Sequence, residues 1–164
     1  MHWDAVAAVG GLLGAVGIVL SVVFLAMQIR RNTAATQSQT YQSACSALAD
    51  FSATVGQDPA LCRVWRIGLS TPQELDDNQY YQFAFLGISL FRRYENAFYQ
   101  YHAGLIDDDF WSGHRNILSW HFHRPGIQHW WQGRRQTFSK AFCDYLESTK
   151  PGDIELPALI PESK

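Results

Sequence analysis

The sequence contains only three cysteines, and their spacing fits neither a redox-active pair nor a zinc site. The three residues are odd in number and widely spaced, without a CxxC pair or a zinc-type Cys/His spacing: Cys45, Cys62 and Cys143. Each lies within an apolar pattern of helical period, which predicts buried, reduced thiols. Reduced thiols favour a reducing compartment over an oxidising one.

Charge is also limited, at 17% of the residues with a net charge of -2. This balance excludes the strongly basic face of an electrostatic nucleic-acid binder, so no nucleic-acid partner is expected. Nucleophile elbows, phosphate loops, dinucleotide-binding glycines and kinase motifs are missing, so no catalytic residue and no cofactor is predicted. Aromatic residues, in contrast, make up 14% of the chain and favour a domain with a large buried apolar area.

The longest segment without charge lies near the N-terminus, between Asp4 and Arg30. Residues 5–27 are apolar except for glycines and Ser21, and a helix that spans a membrane needs about 20 apolar residues. A cleaved signal peptide would have a positive start, a shorter apolar core and a small-residue cleavage site, and these features are missing here. Residues 1–31 are therefore predicted to be a retained transmembrane anchor.

The charges that flank this anchor predict its orientation. Arg30 and Arg31 follow it directly, whereas no Lys or Arg precedes it. Because positive residues stay on the cytoplasmic side, we expect a single-pass protein with its N-terminus outside and its following domain in the cytoplasm.

Small residues form a stripe along the anchor, at alternating steps of three and four: Ala7, Gly10, Gly14, Gly17 and Ser21. Small residues on one face let two helices approach closely in lipid. The stripe predicts association with a second copy or with another membrane protein, in addition to contact with membrane lipid. The alternative is that glycine and alanine are simply frequent in spanning helices.

Helix signals follow the anchor along the chain. No proline precedes Pro59, and the apolar residues recur with helical period to about Val55. Asp58-Pro59 predicts a new helix start, and Gly104 predicts the end of a long helix that begins near Thr71 or Asp76. Later starts are predicted at Asp107, Pro125 and, with Ser139 as the cap, near residue 140.

These signals, with no strand alternation, predict an all-α fold. One N-terminal transmembrane helix continues into a cytoplasmic bundle of about five helices over residues 32–148, and residues 149–164 form an extended or disordered tail. The helix between Asp76 and Gly104 is apolar on nearly all faces, which predicts a position in the middle of the bundle.

The most informative polar group lies in that central helix: Arg92, Arg93, Glu95 and Asn96. Buried charges must be paired, so Glu95 is expected to pair with an arginine from elsewhere, such as Arg63, Arg66 or Arg115. One interpretation is a structural network that fixes the packing. The other is a ligand or partner site, in which the two arginines hold an anion such as a lipid head group.

A second candidate is an interface that combines tryptophan with arginine: Trp130, Trp131, Arg134 and Arg135. Such mixtures are typical of protein interfaces and membrane surfaces. The alternative is one buried Trp beside a solvated basic turn.

No metal site is predicted. His121 and His123 are two residues apart and point to different sides of a helix, and HExxH is missing. The run Asp107 to Asp109 lacks the later ligands of a calcium loop, and helix capping explains it better.

Two stretches carry a resemblance, VFLAMQIRRNTAATQSQTYQ and RRYENAFYQYHAGLIDDDFW. They are similar to those of a widespread group of uncharacterised bacterial membrane-anchored helical proteins. That group shares a spanning helix, a YLAxQIRxNTxA-like stretch and an RRxEN helix, and Phe24 stands where its tyrosine is expected. The resemblance implies an all-α protein of the bacterial inner membrane and transfers no catalytic residue.

Three functions remain after this reading. The first is a non-enzymatic accessory protein that self-associates or docks in a larger membrane complex. The second is a ligand sensor or enzyme with a pocket around Arg93, Glu95 and Asn96. The third is a homo-oligomeric pore.

Overall fold

The structure, a computed structural model, describes the backbone of residues 2–151, and the side chains of these residues except 2, 4–10, 12, 13 and 15. Over residues 2–151 it contains six α-helices, two short 3-10 helices and no strand. The α-helices are α1 (His2–Gln57), α2 (Pro59–Ser70), α3 (Asp77–His102), α4 (Asp108–Phe122), α5 (Pro125–Arg134) and α6 (Lys140–Ser148), and the 3-10 helices are Pro72–Glu74 and Arg135–Thr137. The predicted all-α class is confirmed. Of the predicted tail, residues 152–164 lie outside the described part.

The chain divides into two compact units, Met1–Gln39 and Thr40–Lys164. The first unit consists of the N-terminal part of α1. Its apolar side chains from Val16 to Ile29 are exposed, with Ile18 at 67% and Phe24 at 66%. By length and composition α1 could span a membrane, and it is the one helix with this property among the described residues.

In the second unit the helix starts follow the local capping signals. The Asp58 carboxylate accepts hydrogen bonds from the backbone N–H of Ala60 and Leu61, at 2.8 and 3.2 Å. Asp76 forms a reciprocal capping box at the start of α3, and Asp107 accepts from the Phe110 N–H at 2.9 Å. Gly104 follows α3 with φ +71°, a left-handed conformation that glycine adopts at little cost. These predicted boundaries are confirmed.

The start of α6 differs from its prediction. Ser139 stands at the N-cap position, but its side chain makes no capping hydrogen bond. Its backbone N–H donates instead to a carboxylate oxygen of Glu95 on α3, at 2.7 Å. The prediction of a serine cap is wrong, because the acceptor comes from a residue far away in the sequence.

Helix α3 supplies the centre of the core. Phe83, Leu90, Phe91 and Tyr94 are at most 2% exposed, and side chains of the other helices pack around them: Trp65, Leu118, Ile127 and Phe142. This agrees with the predicted position of α3 in the middle of the bundle, but the helix is not covered on every face. Three aromatic residues of α3 are exposed, Tyr81 at 61%, Phe85 at 67% and Tyr99 at 72%. The composition of α3 does not distinguish this exposed face from the buried faces, because the exposed face also carries few charged residues.

Glycine sets the approach of two helices in this core. A Cβ atom added at Gly126 of α5 would lie 1.6 Å from the carbonyl oxygen of Gly68 on α2. A Cβ atom at Gly68 would in turn lie 2.2 Å from the ring of Phe83. The two backbones therefore touch, and only glycine fits at Gly126.

The cysteines are free, but they are not all buried as predicted. Cys143 is buried, Cys45 is half-buried and Cys62 is exposed. The prediction is wrong for Cys62, which is exposed although Trp65, one helical turn further along α2, is buried.

Candidate functional site

The polar residues of α3 fall into separate groups in the structure. Arg92 and Glu95 form an ion pair with 2.5 Å between Nη1 and Oε2. Arg92 also donates to the carbonyl oxygen of Thr137 at 2.5 Å, and its guanidinium lies 4.5 Å from the centre of the Phe138 ring. With the bond from the Ser139 N–H to Glu95, this pair fastens the segment before α6 onto α3.

The expected partner of Glu95 was an arginine from another helix, and that expectation is wrong, since Arg92 is on α3 itself. Burial raises the pKa of the Glu95 carboxyl. The hydrogen bonds from Ser139 and Arg92 outweigh this effect, so that the pKa lies below its ordinary value of 4.5. The carboxylate is therefore held in its charged form as a structural acceptor.

Arg93 and Asn96 do not join this pair. Arg93 donates to the carbonyl oxygen of Ser89 at 3.0 Å and to the Ser89 hydroxyl, and its guanidinium lies 5.8 Å from the centre of the Phe51 ring. Asn96 is exposed and accepts from the Gln100 amide at 3.2 Å. The four residues thus bond to three different sets of partners, so Arg93, Glu95 and Asn96 do not belong to one hydrogen-bond network.

The tryptophan–arginine segment is divided between core and surface. Trp130 and Trp131 are 2% and 4% exposed and belong to the core. Arg134 and Arg135 are exposed, and Arg135 pairs with Glu147 at 3.1 Å. An interface at this segment would have to use the arginines, because the two indole rings do not reach the surface.

Part of the small-residue stripe lies within the described side chains. Gly14, Gly17 and Ser21 are exposed, and Cβ atoms added at Gly14 and Gly17 would meet no atom within 4 Å. The Ser21 hydroxyl donates to the Gly17 carbonyl oxygen at 2.8 Å. Ala7 and Gly10 are not among the residues whose surroundings the structure describes.

The structure adds a feature that the sequence did not reveal, a cavity of about 470 Å³ within the second unit. Four helices line it, with Phe51 and Val55 from α1, Trp65 from α2, Leu90 and Tyr94 from α3, and Ile117 and His121 from α4. The helical period of the apolar residues up to about Val55 indicated an apolar face on this part of α1. It could not show that the surrounding side chains leave a space, because that depends on volumes contributed by four separate helices.

His121 is the principal polar side chain of this cavity. Its Nδ1 lies 2.9 Å from the carbonyl oxygen of Ile117, and its ring lies beside the rings of Trp65, Tyr94 and Trp120. The pKa of the imidazole is lowered to about 4, mainly by burial; the bond to Ile117 acts in the opposite direction, and the Arg124 charge adds to the lowering. The ring is therefore neutral near pH 7.

This buried histidine predicts a loss of stability in weak acid. In the unfolded chain the imidazole takes up a proton near its ordinary pKa of 6.5, whereas in the folded chain it does so only near 4. The contribution of His121 to the free energy of unfolding is complete above the unfolded pKa of 6.5, and it decreases as the pH falls from 6.5 toward the folded pKa of about 4. We expect the free energy of unfolding to fall by about 2 kcal/mol from about pH 7.5 to about pH 5, as measured by chemical unfolding followed through tryptophan fluorescence.

Two variants separate this effect from other titrations. His121→Phe removes the proton uptake and is expected to flatten the pH dependence over that interval. Tyr94→Phe keeps the histidine in its buried place and is expected to retain the wild-type slope. An unchanged slope in His121→Phe would show that other groups cause the acid sensitivity.

Among residues 2–151 no three His, Cys, Asp or Glu side chains are grouped so that they could hold a metal ion. The chain matches no protein-family model, no curated protein and no solved structure. The resemblance to bacterial membrane-anchored proteins therefore stays a prediction, and the function has to be argued from the chain itself.

Proposed function

We propose that this protein is a non-enzymatic, membrane-anchored interaction protein that associates through its N-terminal helix. The observation that carries this proposal is the exposed apolar surface of α1. The side chains of Ile18, Leu20 and Phe24 are 64–67% exposed, although a soluble domain rarely leaves such a continuous apolar face in water. Lipid is the environment that suits this surface.

The location follows from the same helix. Arg30 and Arg31 lie directly after the exposed apolar segment, and both are themselves exposed. By the positive-inside rule we propose a single pass through a bacterial inner membrane, with the N-terminus outside and the helical domain in the cytoplasm. The exposed thiol of Cys62 agrees with a reducing compartment.

Association is proposed to use the open surface around Gly14 and Gly17. In lipid, helices associate through close backbone packing, and these two glycines leave room for it. The partner is a second copy of the chain or another spanning helix. The polar residues of α3 favour a non-enzymatic role, because Arg92 and Glu95 are engaged in holding the segment before α6.

Replacement of Gly14 by leucine tests this proposal. The side chain would occupy the surface on which a second helix packs, so we expect association to decrease by about tenfold, which corresponds to about 1.4 kcal/mol. The measurement is the proportion of cross-linked or co-purified species from membranes solubilised in native-lipid nanodiscs. Wild-type protein should stay in the membrane fraction after extraction at alkaline pH.

Val19→Leu is the matched control. Val19 is exposed and five residues beyond Gly14, which places it on nearly the opposite side of a helix with 3.6 residues per turn. This variant adds a leucine without touching the glycine surface, and its association is expected to equal that of wild type. Equal association of all three proteins would remove the stripe from the proposal, and release of wild type by alkaline extraction would remove the anchor.

A further inference from the structure

The cavity between α1, α2, α3 and α4 has the size and walls of a small-molecule site. Its volume of about 470 Å³ lies within the range of roughly 300–1,000 Å³ that is typical of ligand pockets. Phe51, Val55, Trp65 and Leu90 line it, and all four are at most 8% exposed. The walls are therefore apolar and suit an apolar molecular body.

One buried polar group in this cavity lacks a good partner. Tyr94 is 2% exposed, and among residues 2–151 the one neighbour within hydrogen-bonding range of its hydroxyl is Nδ1 of His121, at 3.5 Å. That distance is at the outer limit of a hydrogen bond. A buried hydroxyl without a partner is costly, which makes it a natural contact point for a ligand.

The histidine cannot accept the tyrosine proton at that nitrogen. Nδ1 lies 2.9 Å from the Ile117 carbonyl oxygen, and because a carbonyl oxygen can only accept, Nδ1 carries the ring hydrogen. The hydroxyl of Tyr94 thus remains a donor. In the neutral ring Nε2 carries no hydrogen, so His121, which lines the cavity, can accept a hydrogen bond there.

Charge is missing from this wall. Among the described residues that line the cavity there is no Asp, Glu, Lys or Arg. Arg93 lies over the ring of Phe51, but its guanidinium is engaged with Ser89. A charged ligand would lose its hydration in this space without gaining an opposite charge.

We propose that this cavity binds an uncharged amphipathic molecule, with an apolar chain or ring against Phe51, Val55 and Trp65 and one hydroxyl or carbonyl oxygen at Tyr94. A hydroxyl group matches the wall best, because it accepts from Tyr94 and donates to Nε2 of His121. The residues that line this cavity include neither Arg92, Arg93, Glu95 and Asn96 of α3 nor Gly14 and Gly17 of α1, so this proposal goes beyond the association proposed above.

Cys62 provides a reporter for the test, since it lines the cavity and its side chain is exposed. The full chain in lipid nanodiscs is alkylated with iodoacetamide in the presence of increasing n-octanol, and the modification of the Cys62 peptide is followed by mass spectrometry. We expect octanol to slow this reaction at least about fivefold at saturation. Cys45, which does not line the cavity, is the internal reference and should react at an unchanged rate.

Tyr94→Phe tests the polar contact. The substitution removes one oxygen atom that has no good partner, so the fold is expected to remain intact. The loss of one hydrogen bond of about 1 kcal/mol should raise the octanol concentration for half-protection by about fivefold. Tyr81→Phe, at an exposed position of the same helix, is the matched control and should behave as wild type.

Two further probes separate the alternatives. n-Octane lacks the oxygen, and octanoate carries a charge, so both should protect Cys62 less well than octanol in the wild-type protein. Equal protection by octane and octanol, unaffected by Tyr94→Phe, would overturn the proposed polar contact. Strongest protection by octanoate would overturn an uncharged ligand, and no protection of Cys62 by octanol would overturn the site.

Discussion

Gly126→Ala is expected to prevent the helical domain from folding. The new Cβ atom would lie 1.6 Å from the carbonyl oxygen of Gly68 and 2.8 Å from its carbonyl carbon. Both atoms belong to backbone, so no side-chain rotation relieves the overlap, and α2 and α5 would have to separate. Such overpacking in a dense core is at the severe end of single substitutions, and we expect a loss of at least about 4 kcal/mol. Loss of cooperative unfolding, followed by tryptophan fluorescence, measures it.

Gly133→Ala is the matched control on the same helix. A Cβ atom at Gly133 meets nothing within 4 Å, and its φ is not in the left-handed region. Alanine favours a helix over glycine by up to about 1 kcal/mol, so this variant should be as stable as wild type or slightly more stable. If Gly126→Ala unfolded at the same denaturant concentration as Gly133→Ala, the close approach of α2 and α5 would be incorrect.

The glycine contact illustrates what the sequence could not predict. Gly68 lies near the end of α2 and Gly126 directly follows the proline that starts α5, so each resembles a local boundary signal in the sequence. Their shared role depends on two helices that are distant in the sequence. The helix starts, in contrast, were predictable, because Asp58 and Asp107 bond to N–H groups within three residues of themselves.

The faces of the helices were predicted less well than their ends. Apolar residues around all of α3 indicated a covered helix, yet Phe85 and Tyr99 are exposed. Aromatic residues are apolar in composition, but a given face is buried only if another helix covers it, and periodicity within α3 cannot show this. The cavity could not be predicted for the same reason, because its polar residues Tyr94 and His121 come from separate helices.

The candidate site was predicted as a set of residue types rather than as an arrangement. The pattern Arg92, Arg93, Glu95, Asn96 correctly raised the question of pairing, since charges in an aromatic helix need partners. It could not show that Glu95 accepts a hydrogen bond from the Ser139 N–H at the start of α6, because that contact depends on how α6 packs against α3. The structural role of Glu95 predicts that its removal lowers the free energy of unfolding.

Glu95→Ala is expected to destabilise the domain by about 3 kcal/mol. The substitution leaves the Ser139 N–H without its acceptor at the start of α6 and leaves Arg92 without its ion pair. Hydrogen bonds to a charged group contribute roughly 1.5–3 kcal/mol each, and the Glu95 side chain is only 16% exposed, so solvent cannot fully replace it. Chemical unfolding of the full chain at neutral pH measures the loss.

Asp144→Ala is the control that separates this structural role from ion pairing in general. Asp144 pairs with Lys140 at 2.5 Å, the same distance as in the Arg92–Glu95 pair. Both partners are exposed here, however, the Asp144 side chain at 57% and the Lys140 side chain at 88%. Exposed pairs of this kind contribute about 0–1 kcal/mol, so the variant should remain close to wild type. Similar losses in the two variants would mean that Glu95 acts only as a surface charge.

The acid dependence of Glu95 distinguishes it from His121. Because its folded pKa lies below 4.5, its contribution is complete above that value and decreases as the pH falls through the folded pKa. The contribution of His121 is lost earlier in the titration, between 6.5 and about 4. Glu95→Gln keeps an oxygen for the Ser139 N–H but cannot titrate, so it should lose only the acid-sensitive part. A Gln variant as unstable as the Ala variant at neutral pH would show that the negative charge, rather than the acceptor oxygen, holds α6 to α3.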